Sequence, residues 1–324
     1  MLKTDKIMVT GHTGMVGSAF VSLLKRKGYT KVITSSSKFL DLRNQSAAEE
    51  FIKINKPDTI FHFAARVGGI KANAEYPAVF LYDNLAIQTN VIHSAFKCGI
   101  NNLLFLAGSC VYPRESVQPM KEEYLLNGPL EPTNEAYALA KIAGIKMCQF
   151  YRRQYGVNFI SLISTNAYGI GDNFNLESSH VVPALIAKFY RALAQNKPEV
   201  KIWGTGKPVR EFIYVDDLAY ACFYVMKNKQ LFKKYDYLNV GTGKGVSIKE
   251  LSEIIKKNIG YGGNILYDIS RPDGFPVKIL DIKRILELGW KPKITLKSGL
   301  EKTCRWFMGE GIKRTEGNNI IKKR

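Results

Sequence analysis

Tyr137 and Lys141 stand four residues apart in Glu-Ala-Tyr-Ala-Leu-Ala-Lys, residues 135–141. On a helix that spacing puts both side chains on one face. A free phenol keeps its proton to a pKa of about 10, and an ammonium beside it would draw that value down. Such a pair can give a proton to an oxygen that is gaining negative charge. Ser109 precedes the tyrosine by 28 residues and follows the apolar run 102–107. Its hydroxyl can hold the same oxygen. The chemistry these three residues describe is carbonyl reduction, with hydride arriving at carbon and a proton at oxygen. A Tyr–Lys pair at this spacing often arises by chance; the serine closing a strand ahead of it makes the set informative.

A sheet must present these groups. The first half of the chain alternates short apolar runs with helical patterns, as a parallel sheet covered by helices on both faces requires. Strands are expected at 6–10, 31–34, 59–63, 102–107 and 158–163, and helices at 15–26, 46–55, 84–97 and 135–155. Past residue 165 the alternation weakens and loops rich in Gly, Asn and Pro intervene, as in a smaller substrate-facing lobe. Residues 213–227 read as a strand end and helix returning to the first lobe, with a further strand at 237–240. The expected fold class is α/β, a Rossmann-like doubly wound parallel sheet with a smaller α/β substrate-binding domain. Its expected bounds are 1–166 with a return segment at about 208–240 for the first domain, 167–207 and 241–310 for the second, and a basic tail at 311–324.

Gly11, Gly14 and Gly17, in Gly-His-Thr-Gly-Met-Val-Gly, follow the first strand and open the first helix. Glycines there permit a tight turn and close approach to a pyrophosphate, and the helix start adds free N–H groups and a positive dipole end. The motif alone is weak; strand before and helix after give it weight. An acidic residue ending the second strand would grip the adenosine ribose and favour NAD. Here that strand runs into Thr34-Ser35-Ser36-Ser37-Lys38, hydroxyls and a lysine that suit an extra phosphate, so NADP(H) is the expected cofactor. Asp41 is a candidate partner for the adenine.

The composition narrows the alternatives. The formal charge is +19 with 47 Lys and Arg, a balance that polyanions select. The charge is dispersed, however, and no helix-turn-helix, RNP or zinc-finger pattern accompanies it, so phosphate-bearing small molecules are expected and nucleic acid is not. Five scattered cysteines and four histidines form no disulfide framework or metal-ligand pattern. No apolar stretch is long enough to span a bilayer, and strand 6–10 starts too soon for a signal peptide. A cytoplasmic protein is expected. Apolar surface on the helices 84–97 and 135–155 beyond what one sheet face needs points to a homodimer.

Several blocks resemble the GDP-L-fucose synthase (GDP-4-keto-6-deoxymannose epimerase/reductase) family of the extended short-chain dehydrogenase/reductases. They are Gly-Ser-Cys-Val-Tyr-Pro (108–113), Glu-Pro-Thr-Asn-Glu-Ala-Tyr-Ala-Leu-Ala-Lys (131–141), Asp-Asn-Phe (172–174) ahead of Ser179-His180, Arg-Val-Gly-Gly-Ile-Lys-Ala-Asn (66–73), Trp-Gly-Thr-Gly (203–206), Val-Arg-Glu-Phe (209–212) and Arg-Pro-Asp-Gly (271–274). The likeness runs to about residue 308.

The resemblance implies an NADPH-dependent epimerase/reductase of a GDP-linked 4-keto sugar, with Cys110 as base and His180 as acid at the carbons flanking the ketone. It implies a catalytic set of Ser109, Cys110, Tyr137, Lys141 and His180. The expected cofactor set is Gly11, His12, Thr13, Gly14, Met15, Val16, Gly17, Ser36, Ser37, Lys38, Asp41, Leu106, Ala107, Gly108, Lys141, Ser164, Asn166, Ala167 and His180. Lys188, Trp203, Arg210, Arg271, Asp273 and Lys278 are expected around the GDP moiety. Arginines suit a diphosphate because they bond it bidentately. Three departures bear on the sugar: Lys188 where the family has arginine, Ser164 where it has proline, and Gly169-Ile-Gly-Asp-Asn in place of Gly-Pro-His-Asp-Asn. The alternative they leave is a C4-reductase of a related GDP-4-keto sugar, such as a heptose, with little or no epimerisation.

Overall fold

The computed structural model describes residues 1–312 other than 272 and 274; the basic tail from 313 lies outside them. Its first lobe runs β1 (Ile7–Thr10), α1 (Met15–Arg26), β2 (Val32–Ile33), α2 (Gln45–Asn55), β3 (Thr59–His62), α3 (Ile70–Glu75), α4 (Pro77–Lys97), β4 (Asn102–Gly108), α5 (Glu135–Tyr155) and β5 (Asn158–Ser164). The remainder runs β6 (Asn166–Tyr168), α6 (Val181–Ala194), β7 (Glu199–Trp203), β8 (Val209–Tyr214), α7 (Val215–Lys227), β9 (Tyr237–Val240), β10 (Gly245–Ser247), α8 (Ile248–Ile259), β11 (Asn264–Asp268), β12 (Val277–Lys278), α9 (Lys283–Glu287) and α10 (Leu296–Trp306).

Six strands form one parallel sheet in the order β2-β1-β3-β4-β5-β9. All four residues of β1 and of β3 are buried, because helices cover both faces of a doubly wound sheet. On one side α1 packs against α7; on the other α2, α4 and α5 pack together. The order reverses between β1 and β3, which opens a crevice beyond their carboxyl ends, the place where such sheets bind ligands.

Local chemistry fixes the helices. Asn44 caps α2 by accepting from Ala47 N at 3.0 Å, and α5 stops at Gly156, whose φ of +70° suits a residue without Cβ. Within α5, Gly144 lets the helix lie directly on β4: a Cβ there would come within 2.5 Å of the Phe105 ring. Helix α4 starts at Pro77, seven residues before the expected 84, and α3 was not foreseen. Pro77 sits in the first turn, where its missing N–H costs nothing.

The second lobe has its own core, built on Leu185, Ile186, Phe189, Phe212, Leu251 and Ile255. Strand β8 is its hub: β10 and β12 flank its first half and β6 pairs with its second, while β11 pairs with β7. Residues 280–290 follow β12 but send Leu280, Ile282, Ile285 and Trp290 into the first core.

Candidate active site

Strand β4 delivers Ser109 to the carboxyl edge of the sheet, and a single 3₁₀ turn, Ser109–Val111, carries Cys110 past it. Helix α5 begins alongside after the turn Pro132–Asn134. Its Lys141 is 3% exposed and donates from Nζ to Leu106 O at 3.1 Å. That bond ties the helix to the strand two residues before Gly108. The Lys141 ammonium also lies 4.6 Å above the Phe105 ring and 5.8 Å from the Tyr137 ring centroid. Ser109, Cys110, Tyr137 and Lys141 are therefore gathered at one place, as their spacing leads one to expect.

Their protonation differs from the simple expectation. Burial pushes the Tyr137 phenol well above its ordinary value, and Cys110 adds to the effect. Burial lowers Lys141 to about 8, with Cys110 pulling the other way. Desolvation thus outweighs the attraction between phenol and ammonium. The Cys110 thiol is likewise raised by burial, and is drawn back first by Lys278 and then by Lys141. His180 is the residue that precedes α6, and partial desolvation of its imidazole lowers its pKa.

The β1–α1 turn fits a pyrophosphate. Gly11 has φ +70°, and a Cβ on it would lie 2.7 Å from Ala64 N across the crevice; one on Gly17 would lie 2.1 Å from Gly11 O. The helix carries no side-chain cap at Gly14 and no acid in its first turn, so its leading N–H groups and dipole meet no competing carboxylate. His12, Thr13, Met15 and Val16 lie in the turn and the first helical residues. Leu106, Ala107 and Gly108 end β4; Ser164 ends β5 with its hydroxyl 3.3 Å from Ala107 O, and Asn166 and Ala167 begin β6. Asn166 Nδ2 donates to Glu211 O at 3.0 Å. Ser36, Ser37 and Lys38 follow β2, with Ser37 and Lys38 exposed.

Asp41 is paired within its own loop. Its carboxylate accepts from Arg43 Nε at 3.0 Å and Nη2 at 2.8 Å, and this holds it below the usual carboxylate range. Arg43 also bonds Asp83, which Arg66 shares. The sequence reading missed this cluster, although the Asp-Leu-Arg spacing at 41–43 was visible. It missed Asp172 as well. Asp172 Oδ2 is buried and unpartnered among the described residues, and burial raises the carboxyl to about 7. Gly171 beside it approaches Met15 and Ser18 of α1, so this loop of the second lobe closes over the phosphate turn.

The expected nucleotide-facing residues gather on the second lobe. Trp203 is 63% exposed, with Arg271 5.3 Å and Lys188 5.9 Å from its ring centroid. Arg210 donates to Val209 O at 2.9 Å and to Phe275 O, and it pairs in register with Lys278. Asp273 is engaged in holding the turn after β7, accepting from Thr205 N at 2.8 Å and Thr205 Oγ1 at 2.6 Å. The lobes meet across the cleft where Gly69 N donates to Ser178 O at 3.0 Å; a Cβ on Gly69 would strike Ser179 O.

Comparison with known proteins agrees with this geometry. Residues 7–241 match the NAD dependent epimerase/dehydratase family. The chain is 45% identical over 315 residues to a GDP-L-fucose synthase of Escherichia coli strain K12, covering 95% of this chain and 98% of that protein. It superposes on the crystal structure of a GDP-6-OMe-4-keto-L-xylo-heptose reductase from C. jejuni with a TM-score of 0.90 and 37% identity, covering 95% and 99% of the two chains. MlghC, a GDP-mannoheptose C4 reductase from Campylobacter jejuni with NADP bound, gives a TM-score of 0.86 at 37% identity, with the same coverage. The chain belongs to the NAD dependent epimerase/dehydratase family and, within it, to the relatives of GDP-L-fucose synthase.

Proposed function

We propose that the protein is an NADP(H)-dependent epimerase/reductase acting on a GDP-4-keto-6-deoxymannose-like sugar. The observation that carries this is the gathering of Ser109, Tyr137 and an anchored Lys141 beside Cys110 at the carboxyl edge of β4. The names of the matched relatives support the GDP-sugar substrate, and the NADP-bound relative supports the cofactor. When bound, NADPH supplies the hydride. Tyr137 holds the ketone oxygen with Ser109 and gives it a proton; its burial keeps that proton in place until charge develops on the oxygen. Lys141, fixed to Leu106 O, steadies the phenolate that results. Before reduction, Cys110 removes a proton beside the ketone and His180 returns one to the opposite face, with the enolate held at the same two hydroxyls.

The first lobe serves the cofactor and the second the nucleotide, with Trp203 offering a stacking face and Lys188, Arg210 and Arg271 the charge for the diphosphate. Exposed apolar side chains on α4 and α5, Tyr82 at 67% and Phe150 at 55% among them, support a homodimer through those helices. The cysteines among the described residues are free thiols, which fits a reducing compartment such as the cytoplasm.

The second reading, a C4-reductase without epimerisation, is favoured by the likeness to the heptose reductase and by the Gly169-Ile-Gly-Asp-Asn departure from the family's loop. Incubation with GDP-4-keto-6-deoxymannose and NADPH in deuterium oxide separates the two. The proposed activity gives reduced sugar carrying solvent deuterium beside C4; reduction without exchange selects the reductase.

A further inference from the structure

Asn239 lies in β9, at the edge of the first lobe's sheet, and is wholly buried. Its Oδ1 accepts from the Tyr112 hydroxyl at 2.6 Å. Its Nδ2 donates both hydrogens, to Met120 O at 2.9 Å and to Asp281 O at 3.0 Å. Its backbone N–H donates to Glu122 Oε1 at 3.0 Å, and Glu122 pairs with Arg284 at 3.5 Å. Three segments far apart in sequence thus meet at one amide. Tyr112 directly follows the 3₁₀ turn Ser109–Val111, which holds Ser109 and Cys110, and it is 3% exposed. Asp281 comes three residues after Lys278 of β12, the strand in register with Val209 and Arg210 of β8. The loop between them is tied to the same place: Met120 N donates to Ile279 O and Asp281 N to Met120 O, each at 2.8 Å. A buried amide with all of these partners in place is rigid, and removing one partner leaves the rest unsatisfied in a dry interior.

We propose that Asn239 is a positioning residue that sets the turn bearing Ser109 against β12, and so fixes the span between the ketone oxygen and the diphosphate. It acts through Tyr112 on one side and Asp281 on the other, and touches no substrate itself. The proposal rests on the reading of Ser109 as a holder of the ketone oxygen and of Arg210 and Lys278 as residues of the GDP side. The epimerase/reductase and the plain reductase share that reading. The substrate is one molecule gripped at both ends, so the two ends of the site must keep their spacing. Carbonyl reduction is sensitive to it, since a shift of about 1 Å in a reacting group costs about a hundredfold. Neither β4 nor β12 fixes the span alone: they belong to different sheets, and Asn239 is bonded to the chain beyond each.

Tyr112→Phe tests this with least disturbance, because the ring stays and only its bond to Asn239 is lost. In the full chain it should lower kcat for NADPH oxidation with GDP-4-keto-6-deoxymannose about tenfold, a fraction of the cost of a full ångström. Affinities for NADPH and for free GDP, each bound by one lobe in the reading above, should stay at wild-type values by calorimetry. Without substrate, iodoacetamide should alkylate Cys110 several-fold faster as its turn loosens, while Cys98, beside Glu49 O, keeps its rate; peptide mass spectrometry follows the two separately. Asn239→Leu removes the whole junction and should act more strongly, and adding Tyr112→Phe to it should change nothing further, because the two share one bond. If Asn239→Leu fails to fold, Tyr112→Phe decides alone. A lowered Tm with kcat and Cys110 alkylation unchanged would make Asn239 ordinary scaffold and overturn the proposal. Equal losses of kcat, NADPH affinity and GDP affinity would overturn it too. Failure of the functional reading shows differently, as a wild-type protein that reduces no GDP-4-keto sugar, and the alkylation rates then still decide on the junction.

Discussion

Replacing Lys141 by methionine should make the protein more stable and inactive at once. The ammonium is 3% exposed, and its pKa falls from 10.5 to about 8 because burial disfavours the charge. The unfolded chain binds this proton up to about pH 10.4, whereas the folded protein releases it near pH 8. Between those values the unfolded state holds more protons, so wild-type stability rises with pH there. Below pH 8 the full cost of the buried charge is present. At 1.36 kcal/mol per unit, the depression corresponds to ~3 kcal/mol. Methionine fills the stem's space with an adaptable apolar chain but forfeits the bond to Leu106 O and the contact with Phe105, worth about 1 kcal/mol. The expected net gain at pH 7 is ~2 kcal/mol, about 3 °C in Tm for a chain of this length. It should shrink toward zero by pH 10. Calorimetry of both proteins at pH 7, 8.5 and 10, beside an NADPH-oxidation assay, measures it. A lower Tm for Lys141→Met at pH 7, or a gain undiminished at pH 10, would refute the reasoning.

Tyr137→Phe removes the proton donor and should cut reduction at least about a hundredfold while NADPH affinity, read by fluorescence, stays near wild type. NADPH should be preferred over NADH because Ser36, Ser37 and Lys38 follow β2 without a carboxylate; equal kcat/KM values would contradict this. Gly17→Ala places a Cβ 2.1 Å from Gly11 O, so cofactor binding should weaken sharply, and an unchanged Kd would show that the turn yields without loss. Cys110→Ser should suppress solvent deuterium exchange while NADPH oxidation on an already epimerised ketone continues; exchange at the wild-type rate would remove Cys110 as the base.

The parallel sheet and its helices were legible because their signals are local. Alternating apolar runs mark β1, β3, β4 and β5, and the expected bounds 15–26, 135–155 and 237–240 coincide with α1, α5 and β9. The Ser–Tyr–Lys set was legible too, since two of its members share a helix face and the third ends a strand. Protonation was not. The sequence argument has Lys141 lowering the Tyr137 pKa, but desolvation depends on what α4, α5 and β4 together bury, and it raises the phenol. The pairing of Asp41 with Arg43, two residues away, is a side-chain contact that the sequence argument did not weigh. The second lobe was illegible beyond its outline because β6, β10 and β12 are two- or three-residue strands. Such strands have no periodicity of their own and exist only because β8 pairs with them.

Strand β8 shows how a non-local arrangement can set a site. Arg210 is directed toward Phe275 O, while its neighbour Glu211 is wholly buried and bonds other partners. The Glu211 carboxylate accepts from the backbone N–H groups of Thr242, Gly243 at 2.8 Å and Leu280 at 2.7 Å. Those bonds hold the turn before β10 and the residue two beyond Lys278. A Cβ on Gly241 would fall 2.1 Å from Glu211 Oε1, so the glycine there is required by the approach of the carboxylate. Three N–H donors favour the ionised form, yet burial still raises the Glu211 pKa. Loss of that charge would loosen the clasp on residue 280 and, with it, the placement of β12. Glu211 is therefore the residue through which β8 ties the turn before β10 to the segment that follows β12, holding Arg210 and Lys278 in register from beneath.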